Sequence, residues 1–168
     1  MQKHNGNEEV SRSLKLRSAT ADDKPFLLSL FATTRSDELA FVNLDENQKK
    51  SFIAMQFEAQ SRQYVVSYPQ AKGKIILWND DPIGRLLLNR GELEFTLVDV
   101  ALLPVHRGAG IGTGLIVDIQ KDAGAAGKPI RLHVLTSSAA KRLYERLGFS
   151  RVGGDAVYLE MIWVPPAS

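Results

Sequence analysis

Hydrophobic and polar positions along this chain follow two rhythms, one of three to four residues and one of two, and their alternation sets the expected order of elements. Residues 14–17 read as a short first strand. Thr20-Ala-Asp-Asp looks like a helix start with Pro25 tolerated in the first turn, and Phe26, Leu27, Leu30 and Phe31 give that helix an apolar stripe. Residues 36–43 break the pattern. Asp45 or Asn47 can cap a second helix, whose inner face carries Phe52, Met55, Gln56 and Ala59 with Ile53 and Phe57 beside it, and which fades near Tyr64. The rhythm then shortens. Residues 74–78 and 83–89 are strands joined at Asn79-Asp-Asp-Pro, and after Arg90-Gly91 a long strand covers 92–103. Three sequential strands with tight turns make an antiparallel meander, so the sheet is not all parallel. Helical spacing returns at Leu115, Ile116 and Ile119 and stops at 123–129. A strand at 130–135, a short helix at 138–147 ended by Gly148-Phe149, and a last strand at 157–164 complete the chain. Residues 1–12 are polar and aperiodic and read as a loose tail. With no repeat and no dividing linker, the expectation is one domain over 1–168.

Composition changes this picture only at its margins. At 168 residues the chain can bury a core unaided. It has no cysteine, which excludes disulfides, thiolate metal sites and a cysteine nucleophile. A net charge of +2 is too small to argue for nucleic acid, although a mild positive bias suits a polyanionic ligand. No apolar run approaches a membrane span and the N-terminus lacks a signal-peptide core, so a cytoplasmic location is the default expectation. No His/Asp/Glu spacing reads as a metal site.

The chemistry concentrates where the long strand meets the third helix. The chain runs from Asp99 through Val100, Ala101 and Leu102, turns at Pro104, Val105 and His106, and enters the helix through Arg107-Gly108-Ala109-Gly110-Ile111-Gly112. Strand, glycine-rich turn and helix together aim unpartnered backbone N–H groups at an anion, with the helix dipole positive at that end. The spacing excludes a Walker loop, because no Lys follows the glycines, and it departs from the Gly-x-Gly-x-x-Gly dinucleotide fingerprint. The loop therefore reads as a pyrophosphate cradle, and a glycine-rich helix start that binds nothing is the bland alternative. Arg107, Gly110 and Gly112 resemble the Arg/Gln-x-x-Gly-x-Gly/Ala signature of the GNAT superfamily of acetyl-CoA-dependent N-acetyltransferases. Alone, a helical tyrosine such as Tyr144 is more often core than catalyst. Here Leu143-Tyr144-Glu145-Arg146-Leu147-Gly148-Phe149 resembles the second signature of that superfamily, in the expected order, and the two cover roughly residues 94–149.

The resemblance implies an α/β (α+β) fold with a mixed, largely antiparallel twisted sheet flanked by helices, splaying between the strand that ends near Leu103 and the strand at 130–135. It implies that backbone at Val100, Ala101 and Leu102 pairs with pantetheine amides, as an added strand would. It further implies that Arg107, Gly108, Ala109, Gly110, Ile111, Gly112 and Thr113 hold the pyrophosphate, and that Tyr144 protonates the departing thiolate. Two positions depart from the family pattern. Ser137 stands where an Asn is common, and Thr96 stands where many members carry a Glu that serves as base. Glu94 on the same strand face and Asp99 of opposite parity are the candidate bases. A salt bridge or solvated face for either acid, a water chain, or an amine arriving neutral are the alternatives. His133 is a further candidate base, although a lone histidine beside apolar residues is more often a satisfied core group, and His106 reads as solvent-exposed. Acceptor contacts are expected from the first two helices, with Glu38, Phe41, Gln56, Phe57, Gln60 and Tyr64 as candidates. The implied partners are acetyl-CoA as co-substrate and an amine acceptor, with no metal, no nucleic acid and no membrane; a homodimer is left open. A non-catalytic acyl-CoA-binding module and a phosphate-loop nucleotide binder are the competing readings.

Overall fold

The structure is a computed structural model that describes residues 14–168; the tail expected at 1–12 lies outside the described residues. Seven strands form one sheet in the order β1-β2-β3-β4-β5-β7-β6. The chain gathers into two compact units, one running to Leu86 and including Val100–Arg107, the other comprising Leu87–Asp99 and Gly108–Ser168.

In the first unit, β1 (Leu14–Ser18) pairs antiparallel with β2 (Lys72–Trp78), Leu16 opposite Ile76. Helix α1 (Lys24–Ala40) starts where Thr20 and Asp23 form a capping box, and Arg17 clamps the Asp23 carboxylate through two bonds of 2.8 and 2.7 Å. The helix does not break at Ser36. The hydroxyls of Thr33, Thr34 and Ser36 bond back to the carbonyls of Leu30, Phe31 and Thr33, and Leu39 is buried beyond them, so these poor helix formers are held in the helix. Of the two possible caps of α2 (Glu46–Ser67), Asp45 is the one used, accepting from the N–H of Gln48 at 2.8 Å. The α2 inner face is Ile53, Phe57, Ser61 and Tyr64, spaced four, four and three. Phe57 is buried, whereas Phe52, Met55 and Ala59 are exposed, so the expected stripe is rotated. Phe31 and Phe57 join the helices edge to face, their ring centroids 5.6 Å apart.

Strand β3 (Asp81–Arg90) follows β2 through Asn79 and Asp80, both at positive φ, as the two-residue primed hairpin requires. Strand β4 (Phe95–Leu102) begins three residues later than expected, since buried positions start only at Phe95 and Leu93 is exposed in the turn. Gly84 of β3 lies so close to β4 that a Cβ there would meet the Ala101 carbonyl oxygen at 2.4 Å.

In the second unit, β5 (Ile130–Leu135) pairs parallel with β4 at only three positions, Phe95 with Ile130 through Leu97 with Leu132, and antiparallel with β7 (Tyr158–Trp163) along its whole length. The three-residue ladder is the splay the resemblance implied. Helix α3 (Ile111–Ala125) buries Ile111, Leu115, Ile116, Ile119 and Ala123. It stops at a Schellman turn, with Gly127 at φ +65 and Lys128 N–H bonded to the Ala123 carbonyl. Strand β6 (Ser150–Gly154), paired with β7, was not foreseen.

Candidate active site

Each part of the site has a local cause. After β4, a single 3₁₀ turn at Pro104–His106 leads to Arg107 in extended conformation. Gly108 and Gly110 then adopt φ of +75 and +82, a region that an L side chain enters only at a cost. At both, the place a Cβ would occupy has no atom within 4 Å, so the backbone lies open on that side. Gly110 is the N-cap of α3 and supplies no capping side chain. The first intrahelical bond is Gly114 N–H to Gly110 carbonyl at 3.0 Å, which leaves the N–H groups of Ile111, Gly112 and Thr113 without helical partners. No acidic residue stands in this first turn, and buried Ile111 anchors it. The result is a set of free donors at the positive end of a helix dipole, able to receive an anion. In the first unit, the Arg107 Nε–H donates to the Leu102 carbonyl at 3.0 Å and ties the turn back to the end of β4.

Helix α4 (Ala140–Arg146) stands beside the start of α3: a Cβ on Gly112 would lie 3.7 Å from Leu143 Cδ2. Its C-terminus explains the Leu147-Gly148-Phe149 run. Gly148 takes φ +88, its N–H bonds to the Glu145 carbonyl, and Phe149 N–H bonds to the Tyr144 carbonyl, a second Schellman turn. The apolar contact that accompanies this turn is Phe149 against Tyr144, edge to face at 5.5 Å. The helix stop thus fixes the tyrosine ring. Tyr144 is buried, and its hydroxyl pKa is pushed up to about 12, mainly by that burial and secondarily by the negative charge of Asp99. The hydroxyl remains protonated at neutral pH, as a proton donor must. Ser137 is exposed just before the helix, where Ser138 accepts from the Ala140 N–H at 3.2 Å.

The two candidate bases have different surroundings. Glu94, at the entry to β4, accepts from Arg131 Nε at 2.9 Å, and Arg131 also donates to Glu160. The two carboxylates raise the Arg131 pKa, Glu94 contributing most. Thr96 is buried opposite Arg131 in the ladder. Asp99 is half-buried past the end of the ladder, with the parity of buried Phe95 and Leu97. His133 is exposed rather than in the core, because Ile130, Leu132 and Val134 take the buried face of β5. His106 is half-buried in its turn rather than exposed.

The acceptor candidates of the first two helices scatter. Phe57 is core, Phe41 is 91% exposed, and Glu38 pairs with Arg35 at 3.3 Å. Gln56, Gln60 and Tyr64 are half-buried, and the Arg85 guanidinium lies over the Tyr64 ring at 5.6 Å. Phe52 and Met55, the residues expected inside, line an open groove with Leu44 and Ser51. Among the described residues no His/Asp/Glu cluster could hold a metal ion, and no helix is long and apolar enough to cross a membrane.

A family model described as an acetyltransferase (GNAT) domain matches residues 60–151, more than half of the chain. Among solved structures, the fold is similar to the PaiA N-acetyltransferase of Thermoplasma acidophilum in complex with coenzyme A. That likeness has 18% identity and a TM-score of 0.69, over 90% of this chain and 99% of that one. It is also similar to the histone acetyltransferase HPA2 and related acetyltransferase of Corynebacterium glutamicum, with 22% identity and a TM-score of 0.64 over 93% and 98% of the two chains. A GNAT family acetyltransferase from Elizabethkingia anophelis with acetyl-CoA bound aligns at 14% identity and a TM-score of 0.59, over 90% and 98%. No curated protein matches the chain.

Proposed function

Because the chain belongs to the acetyltransferase (GNAT) domain family, we propose that it transfers the acetyl group of acetyl-CoA to the primary amine of a small-molecule or protein acceptor. The observation that carries this reading is the turn at Gly108 and Gly110: two left-handed glycines, open space on their side-chain side, and free N–H groups at the start of α3. These features fit a pyrophosphate, whose oxygens accept from Ile111, Gly112 and Thr113 while Gly108 and Ala109 let the backbone approach. Arg107 adds positive charge, although its Nε is committed to Leu102. The backbone of Val100, Ala101 and Leu102 is assigned to the pantetheine amides.

In the reaction the amine nitrogen attacks the thioester carbonyl, the C–S bond breaks, and the sulfur leaves as a thiolate. Tyr144 donates its hydroxyl proton to that sulfur. Burial keeps the phenol neutral until the thiolate, a stronger base than the bound thioester, develops beside it. With Glu94 held by Arg131, the amine proton leaves by way of water or Asp99. The test is thiol release from acetyl-CoA across a panel of amines. At least one amine should give release above the buffer rate together with an acetylated product of the expected mass. CoA binding with no amine turned over would replace this reading with that of a binding module.

A further inference from the structure

In the second unit the sheet has a closed face and an open one. Ile130, Leu132 and Val134 of β5 and Leu159 and Met161 of β7 are buried on the closed face. Trp163, of the same parity, lies against Gly124 of α3 and against the Gly148 turn that ends α4. The open face carries Arg131, His133 and Leu135 of β5 opposite Ile162, Glu160 and Tyr158 of β7. His133 is exposed there, and Leu135 and Tyr158 are 37% and 49% exposed. Glu94 and Glu160 share the single guanidinium of Arg131. Among the described residues neither carboxylate pairs with a second cation, so the group holds one negative charge in excess. Arg131 takes Oε1 of Glu160. The other oxygen, Oε2, lies over Gly153 of β6, where a Cβ would stand 3.0 Å away, so no β6 side chain covers it. The β4–β5 ladder ends at Leu97 and Leu132. His133, the next residue of β5, and Glu160 opposite it therefore stand where β4 and β5 part.

We infer that this open face seats the acceptor, and that the acceptor is an arylalkyl primary amine with its ammonium on Glu160 and its ring on Leu135 and Tyr158. The inference rests on the acetyltransferase reading and names the substrate class of that reaction. Because helices close the inner face of this unit, a second substrate meets the parting strands from the outer one. The excess negative charge selects a cation, and Oε2 of Glu160 accepts from it. Leu135 and Tyr158 are a register pair two residues from His133 and Glu160, a distance of about 7 Å along the strands. A ring joined to the nitrogen by a short alkyl chain spans that distance and packs on the apolar pair. A polyamine instead sets a second ammonium against Leu135 and Tyr158, where it loses water without gaining a partner. A small alkylamine leaves the pair unfilled.

The experiment measures acetylation of 2-phenylethylamine, ethylamine and spermidine by the full chain. The kcat/KM for 2-phenylethylamine should exceed that for each of the others by roughly tenfold or more. Tyr158→Ala should lower the ratio of 2-phenylethylamine to ethylamine, and Tyr158→Phe should keep it. Glu160→Gln should raise KM for 2-phenylethylamine by roughly tenfold while calorimetry shows CoA affinity retained. A ratio near one or a preference for spermidine in the unaltered chain overturns the inference. An unchanged ratio in folded Tyr158→Ala, or an unchanged KM in folded Glu160→Gln, overturns it as well. If no amine releases thiol, the acetyltransferase reading has failed, and NMR of the tyrosine rings with CoA present still decides whether this face binds the amine. 2-Phenylethylamine should shift the Tyr158 resonance, identified by its loss in Tyr158→Ala; an unmoved resonance at saturating amine overturns the inference.

Discussion

Alanine at Gly110 and at Gly112 separates what glycine does for folding from what it does for a ligand. Gly110 has φ +82, and a Cβ there would meet no atom within 4 Å. Its substitution carries no clash, only the left-handed penalty of roughly 1–2 kcal/mol. Gly112 lies inside α3, and a Cβ there reaches only Leu143 Cδ2 at 3.7 Å, an ordinary contact. Helix propensity makes Gly112→Ala neutral or stabilising by up to about 1 kcal/mol. For a chain of this size, 1 kcal/mol corresponds to roughly 2–4 °C in Tm. Calorimetric scans should therefore lower the Tm of Gly110→Ala by about 2–8 °C and leave that of Gly112→Ala unchanged or raised. Isothermal titration with CoA should then show Gly110→Ala weakened, because its Cβ would enter the space the loop leaves open for the anion, and Gly112→Ala little changed, because the signature accepts Ala there and its Cβ faces Leu143. Equal Tm losses in the two variants would refute the conformational reasoning, and full CoA affinity in Gly110→Ala would refute close approach of the ligand at that residue.

Tyr144→Phe should fold and bind CoA while kcat falls roughly 10²–10⁴-fold with an amine for which chemistry limits the rate. The same substitution should remove an alkaline stability loss. The folded pKa of Tyr144 is raised from 10.0 to about 12, so its contribution is complete below pH 10 and declines between pH 10 and 12, by roughly 3 kcal/mol; urea titrations along that range check it. Gly84→Ala drives a Cβ into the Ala101 carbonyl and should lower stability by about 1–3 kcal/mol, read from urea midpoints at constant m. Asp23 is held at about 2, below its usual 3.8, chiefly by the Arg17 hydrogen bond, so its contribution is present above pH 4 and is lost as pH falls toward 2. Asp23→Asn should be less stable at pH 7 and should lose less of its remaining stability on acidification.

The loop was legible in the sequence because its requirement is written in residue type. Left-handed backbone at 108 and 110 calls for glycine, and glycine stands there. The end of α4 was legible through Gly148-Phe149, the stop that its Schellman turn demands. The phase of α2 was not, because apolar residues occur on both faces: Ile53 and Phe57 point in, while Phe52, Met55, Val65 and Val66 are exposed. Periodicity cannot choose a face when both carry hydrophobes. Strand β6 has two glycines in five residues and a bulge between Arg151 and Gly153, and pairing with β7 rather than local propensity makes it a strand. The fate of Glu94 depends on Arg131, 37 residues away, which no local pattern reveals. His133 was misplaced because its apolar neighbours lie on the opposite face of the strand.

Calorimetric titration of CoA into the unaltered chain and into Gly110→Asp and Gly112→Asp tests the central assignment most directly. The unaltered chain should bind CoA and bind ATP much more weakly, since ATP lacks the pantetheine arm assigned to Val100, Ala101 and Leu102. Both variants should lose most of their affinity, because a carboxylate would stand where the pyrophosphate oxygens go. CoA affinity at the unaltered level in both folded variants would contradict the account.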